Sequence, residues 1–281
     1  MEHIVLNNLN KHLSEKYLLS PLQHGFQANL SCETQLVLTF HDWANTLNQQ
    51  GQVDALLLDF SKAFYKVSHI KLQHKLAPCS INGKTLAWIA AFFHNRTQFV
   101  VVSSTHSTTT PVPSGVPQGS VLGPTLFLLF IIDITQVTNS QLRLFADDTV
   151  FYRTINSLHD HQVLQEDLIN LTKWASDWKV DFNVTKCHLL CITKKREPSN
   201  FTYSTANSDA LTRVPEWDYL GVTCTETLSW GAHCSKIAAK ANKSPGVIRI
   251  SLKPCRAEVK ERAYMTLVRP TLEYASFSWN P

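Results

Sequence analysis

Apolar positions change their period several times along this chain, and each change predicts a different element. They recur at helical spacing from Ile4 to Leu19 and again from Cys32 to Leu47, which predicts two amphipathic helices. Val53 to Leu58 is a short apolar run that stops at Asp59, the pattern of a buried strand. Leu72 to Phe93 reads as helix and Phe99 to Val102 as strand. A strongly apolar helix follows Pro124, with the proline tolerated in its first turn. Leu142 to Phe145 and Thr149 to Tyr152 predict two strands around a tight turn at Ala146-Asp147-Asp148. Helix returns from Leu158 to Trp178, then short strands near Leu189 to Thr193 and Asp218 to Thr223, and the last fifty residues are helical again. This mixed order predicts an α+β fold, a small antiparallel sheet backed by helices.

Composition narrows the class. With 281 residues, 44% of them hydrophobic and 17% charged, the chain has a globular composition and room for one large domain or two ordinary ones. The start MEHIVLNNLN is no signal peptide, and the longest apolar run, Leu126 to Ile132, falls far short of the about 20 residues that cross a bilayer. An intracellular protein without a membrane segment is expected, in the cytoplasm and nucleus. Seven scattered cysteines without Cys-x-x-Cys pairs read as reduced thiols, and the His159-Asp160-His161 and His233-Cys234 clusters lack a second pair at zinc-ligand spacing.

The net charge of +4 is modest but uneven. Nine Lys and Arg against two acids lie between Lys236 and Arg269, and Lys236, Lys240 and Lys243 recur at i, i+4, i+7 on one helix face. Such a stripe is ordinarily a solvated face. It becomes a phosphate footprint only beside other signs of nucleic acid.

Those signs lie in the middle of the chain. Asp59 stands at a strand end and Asp147-Asp148 at a hairpin tip; taken singly, a strand-end Asp can cap the next helix and an Asp pair can cap its own turn. Between them runs Ser114-Gly115-Val116-Pro117-Gln118-Gly119-Ser120, whose glycines admit a flat, bulky ligand and which lacks the Gly-Lys-Ser/Thr of a phosphate-binding P-loop. In order, "ALLLDFSKAF", "SGVPQGSVLGPTLF" and "LFADDTVFY" resemble the three central motifs of reverse transcriptases of non-long-terminal-repeat (LINE-type, jockey-like) retrotransposons. Gln23-His24-Gly25-Phe26 resembles the finger segment along the template, "NRTQFVVV" the basic strand before the Gln-Gly loop, "NVTKC" the segment with a lysine near the pyrophosphate, "YLGV" the primer-grip hairpin, and "LVRPTLEYASFSWNP" the thumb.

The resemblance implies a right-hand polymerase palm with partial fingers and partial thumb. Residues 1–50 would be partial fingers, 51–77 palm, 78–110 the fingers/palm connection, 111–230 palm with the primer-grip hairpin, and 231–281 partial thumb. Its implied activity is RNA-directed DNA polymerisation with an RNA template, a DNA primer and deoxynucleoside triphosphates (dNTPs). Two Mg²⁺, with Mn²⁺ as a substitute, would be held by Asp59 and Asp147, with Asp148 contributing less directly and the Phe60 carbonyl as a further donor. Hard carboxylate oxygens suit these ions, and clustered carboxylates would otherwise repel. Phe64, five residues after Asp59, would sit under the incoming sugar and exclude a 2′-hydroxyl, or else be an ordinary core residue. Gln118 and Gly119 would contact the nascent base pair and template, and Lys186 would be a general acid on pyrophosphate or a solvated lysine. Gln23, Gly25, Phe26, Arg96, Tyr219, Leu220, Gly221, Lys236, Lys240 and Lys243 would touch nucleic acid.

The chain departs from the family in three places. Tyr65 replaces a second acid after "DFSKAF", Gln27 stands where arginine is common, and Ile132 replaces an asparagine before Asp133. With the upstream triphosphate-gripping finger strand and endonuclease regions expected elsewhere in a parent polyprotein, an inactive relic that only binds nucleic acid is the alternative. An RNA-templated RNA polymerase would carry Gly-Asp-Asp and a small gate residue, where this chain has Ala146 and Phe64.

Overall fold

The computed structural model describes residues 1–280, apart from the side chains of residues 244, 245 and 247. The N-terminal half holds α1 (Glu2–Glu15), α2 (Cys32–Asn48), β1 (Gln52–Leu58), α3 (Ala63–Lys66), α4 (His69–Leu76), α5 (Gly83–Phe93) and four two-residue strands, β2 (Thr97–Gln98), β3 (Val101–Val102), β4 (Thr105–His106) and β5 (Thr110–Pro111). After α6 (Gly123–Phe130) come β6 (Gln141–Phe145), β7 (Asp148–Thr154), α7 (Leu158–Trp178), β8 (His188–Thr193), β9 (Thr212–Arg213), β10 (Glu216–Tyr219) and β11 (Val222–Thr225). Helices α8 (Gly231–Ser251), α9 (Ala257–Leu267), α10 (Arg269–Glu273) and α11 (Ser276–Trp279) close the chain. No described helix is long and apolar enough to cross a membrane.

The central sheet runs β6-β7-β1-β8-β9, antiparallel except for the short β8–β9 pair. Every residue of β1 is buried because the sheet is covered on both faces. Leu56 and Leu58 point into one core with Leu144, Phe151, α6 and α7, while Val53, Ala55 and Leu57 point into a second with α2, Leu190 and Tyr219. Period-two alternation thus feeds two cores, which is why the strand reads as an apolar run rather than an alternating one. Each fully buried leucine contributes roughly 1.5–3 kcal/mol by leaving water. Gln52 and Asp54 are the polar exceptions, and the Asp54 carboxylate accepts from the Gln52 amide (2.9 Å) and the Tyr203 hydroxyl (2.7 Å).

The structure divides several expected elements. The first helix stops at Glu15, not Leu19, because Tyr17 turns left-handed (φ 49°) and the Leu18 N–H reaches back to the Leu13 carbonyl. The single helix expected from Leu72 to Phe93 is two, since Pro78 stops α4 and Asn82 starts α5 afresh. Phe99 to Val102 is no continuous strand but part of a folded-over ribbon whose side chains stay exposed. Asp218 to Thr223 is a hairpin, β10–β11, turning at Leu220-Gly221.

Candidate active site

Sheet register brings the three aspartates together. Leu58 of β1 faces Thr149 of β7, so one step further Asp59 lies beside Asp148, and Asp147 sits in the loop joining β6 to β7. Asp59 is also pinned from its other side. Its carbonyl accepts from the Asn183 N–H (2.7 Å), and the Ser61 N–H donates to Asp181 (2.7 Å), so residues 181–183 form a short ladder past the end of β1. That ladder carries Phe182 onto Phe60, ring on ring at 4.5 Å, and leads on to Lys186, whose Nζ lies 3.5 Å from the Asp59 carboxylate. The Phe60 side chain is therefore buried packing, and its carbonyl accepts none of the hydrogen bonds among the described residues.

The hairpin tip is held from outside. Ala146, the first loop residue, has φ 54°, a conformation that glycine adopts freely and that costs another L-residue roughly 1–2 kcal/mol. Gln23 grips it: Oε1 accepts from the Ala146 N–H (2.8 Å) and the Gly25 N–H (2.7 Å), while Nε2 donates to the Ala146 carbonyl (3.2 Å). Gly25 packs so close that a Cβ there would lie 2.3 Å from the Ala146 nitrogen. Gln23 and Gly25 are both buried, so neither reaches a template; the expected nucleic-acid contact is corrected to support of the hairpin. Gln27, standing where an arginine was expected, donates to the Ser20 and Gln23 carbonyls and braces the same segment.

Crowding raises both hairpin acids. Burial, joined by the Asp59 charge and opposed by a hydrogen bond to its own backbone, lifts the Asp147 carboxyl above the ordinary range. Asp148 keeps an open face to solvent, yet the protein packed behind its carboxyl and the charges of Asp147 and Asp59 push it up to about 6. Carboxylates gathered this closely, oxygen donors all, are a donor set suited to hard divalent cations. Among the described residues no group of three or more His, Cys, Asp or Glu side chains closes into a metal cage. An open half-shell fits Mg²⁺ all the same, because that ion ordinarily keeps water and substrate phosphates as its remaining ligands.

Beside the carboxylates, the Gln-Gly loop is bolted to the segment after Asp59. Gly115 N–H donates to Val67 (2.8 Å), Val116 N–H to Phe64 (2.8 Å) and the Ser114 hydroxyl to Tyr65 (2.9 Å), and the His69 ring bonds the Gly115 carbonyl (2.8 Å). Gly115, at φ 93°, leaves no room for a side chain, since a Cβ would lie 2.9 Å from the Tyr65 carbonyl. Phe64 stands half-buried between Phe127, stacked at 4.4 Å, and the edge of exposed Phe26 at 6.2 Å. Gln118 and Gly119 are exposed at the loop tip, with open space around Gly119. The Tyr65 hydroxyl donates to Gln118 Oε1 (3.0 Å), so the residue that departs from the family joins the site instead of vacating it.

The remaining expected contacts divide. Arg96 is exposed, but its guanidinium lies over the Phe92 ring (5.0 Å) and donates to the Phe92 carbonyl (3.3 Å). Tyr219 is fully buried and its hydroxyl accepts from the Gln35 amide (3.0 Å), so it is core and not a nucleic-acid contact. Leu220 and Gly221 form the hairpin tip, both at positive φ, with the Tyr274 ring lying over Gly221 and the Tyr274 hydroxyl bonded to the Leu220 carbonyl (2.9 Å). Lys236 is already committed: both Asp218 oxygens take its Nζ at 2.8 Å, and against burial, which raises it, this pair together with the Thr223 hydroxyl and the His233 charge holds the Asp218 carboxyl below its ordinary value. Lys240 and Lys243 are exposed and carry no ion pair among the described residues. The sequence reading missed Gln23 as a support. The one available signal was Ala146, a residue without glycine's freedom in a loop that prefers it.

Residues 1–224 match the family described as reverse transcriptase (RNA-dependent DNA polymerase). The chain is 28% identical over 246 residues, 84% of its length, to the RNA-directed DNA polymerase from mobile element jockey of Drosophila melanogaster, covering 26% of that protein. It is 29% identical over 224 residues, 78% of its length, to the probable RNA-directed DNA polymerase from transposon X-element of the same organism, covering 24% of it. It therefore spans about a quarter of these curated relatives. In fold it is similar to telomerase from Candida tropicalis, solved with a TWJ fragment of telomeric RNA, at a TM-score of 0.55 and 13% identity, covering 98% of this chain and 46% of that one.

Proposed function

Because this chain belongs to the reverse transcriptase (RNA-dependent DNA polymerase) family, we propose that it carries the polymerase centre of a mobile-element RNA-directed DNA polymerase, extending a DNA primer on an RNA template with dNTPs. One observation carries the reading: the β1–β7 register sets Asp59 beside the Asp147-Asp148 hairpin, with charges close enough to raise both hairpin acids. Asp59 and Asp147 would hold two Mg²⁺, or Mn²⁺ in their place, with Asp148 adjacent and the Phe60 carbonyl a further donor. Bound there, the ions would activate the primer 3′-hydroxyl and neutralise charge on the departing pyrophosphate.

The chain's own residues do the positioning that phosphoryl transfer chiefly requires. Phe64, clamped between Phe127 and Phe26, forms a wall for the sugar of the incoming nucleotide. Gln118 and Gly119 present an amide and an unobstructed backbone to the base pair being formed. Lys186, on the ladder beyond β1 with its Nζ 3.5 Å from the Asp59 carboxylate, would donate a proton to pyrophosphate as the new bond forms. Tyr65 was one of the sequence reasons for suspecting a relic, beside the finger strand expected elsewhere in the parent polyprotein, and its hydrogen bond to Gln118 weakens that one reason.

Primer extension on poly(rA)/oligo(dT) tests the reading. In a chain extended by the upstream finger segment, Asp147→Asn should lower extension by several orders of magnitude, since a neutral amide is a poor Mg²⁺ ligand, and leave hybrid binding nearly unchanged. Near-normal extension by Asp147→Asn would remove the catalytic assignment.

A further inference from the structure

We propose that Gln23 is a positioning residue for the paired carboxylates, its buried amide setting where the Ala146-Asp147 loop sits. The proposal rests on reading Asp147 and Asp148 as metal ligands. A two-residue hairpin loop with positive φ at its first position usually takes glycine or asparagine there, and this one has alanine. The turn's own chemistry therefore does not select the geometry. Selection comes from a segment 123 residues away, which adds itself to the edge of β6: His24 N–H bonds the Leu144 carbonyl (2.9 Å), and Leu144 N–H bonds the Leu22 carbonyl (2.9 Å).

Only glutamine fits the demand at position 23. One oxygen must accept two N–H groups, from Gly25 and Ala146, while the other end donates to the Ala146 carbonyl. Reversing the amide would set NH₂ against two donors, so the partners themselves fix its orientation. Glutamate lacks the donor, methionine lacks both functions, and asparagine is one methylene short. Close approach is built in by Gly25, where a Cβ would strike the Ala146 nitrogen, and Gln27 locks the clamp by donating to the Gln23 carbonyl at 2.6 Å. With Ala146 seized on both its N–H and its C=O, the carboxylates on either side of β7's start cannot drift relative to Asp59.

Mn²⁺ binding to the whole chain, followed by water-proton relaxation, tests this alongside amide exchange at Ala146. Gln23→Met should weaken Mn²⁺ affinity by about tenfold or more, the usual cost of losing a ligand's outer support, and should speed Ala146 exchange. Gln23→Asn, which keeps an amide but loses reach, should move both in the same direction by less. Gln52→Met is the matched control: Gln52 is equally buried and bonded, at the far end of β1, and its loss should destabilise the fold without touching Mn²⁺ affinity. Wild-type Mn²⁺ affinity in Gln23→Met, or an equal loss in Gln52→Met, overturns the proposal. If Asp147→Asn leaves Mn²⁺ binding unchanged, the carboxylate reading itself fails and takes the proposal with it, a result distinct from the other two.

Discussion

Phe64 can act as a wall because it cannot swing away: Phe127 stacks on one face and Phe26 closes against it edge-on. Phe64→Val should shrink that wall and raise ribonucleotide use, read as the ratio of kcat/KM for deoxy- and ribonucleotides; an unchanged ratio would return Phe64 to the core. Asp148 makes a second prediction. Its folded-state carboxyl is raised from 3.8 to about 6, so the folded chain binds that proton more tightly than the unfolded chain does. The stabilising contribution is present in full below about pH 4 and is lost as pH rises through about 6. In metal-free buffer, Asp148→Asn should therefore melt higher than wild type near neutral pH, with the gap closing toward pH 4. Mn²⁺ should raise the wild-type midpoint near neutrality and do little at acid pH, where the ligand is protonated. The carboxylates and Phe64 were legible in the sequence because short motifs carry them. Gln23 was not legible in its actual role, since its partners are backbone atoms of a distant hairpin.

At the scale of elements, the site depends on how the Gln-Gly loop meets the turn after β1. Gly115→Ala combines an unfavourable φ with a Cβ 2.9 Å from the Tyr65 carbonyl, and should cost about 1–3 kcal/mol. Because the displaced backbone also carries Phe64 and Gln118, KM for dNTP should rise more than stability alone explains; steady-state kinetics beside thermal melting would separate the two. Which elements the sequence revealed follows the same logic of local against distant control. Helix α2, with Ser31 and Thr34 capping one another, and β1, with both faces covered, follow from local pattern. The break at Pro78 also had a local sign, though helical periodicity on both sides overrode it. The ribbon around β3 misled for the opposite reason: Phe99 to Val102 has strand composition, but no layer among the described residues buries it.

Across the whole molecule, the basic stretch is thinner than its composition suggests. Lys236 secures the β10–β11 hairpin to α8 through Asp218, so of the three stripe lysines only Lys240 and Lys243 are exposed without an ion pair among the described residues. Affinity for an RNA–DNA hybrid should fall steeply with salt, and Lys240→Ala should reduce the slope of log K against log salt by about 1. Lys236→Ala should leave the slope nearly unchanged and lower the melting temperature instead. Sheet order has a different consequence, one in time. Strand β1 is central but is made early, and its partners β7 and β8 follow only at residues 148–154 and 188–193. At about 5–20 residues per second, the ribosome leaves an apolar strand unpaired for on the order of ten seconds. Nascent chains halted before residue 188 should accordingly be captured by chaperones or protease, and release from both should come only once β8 has emerged to complete the sheet.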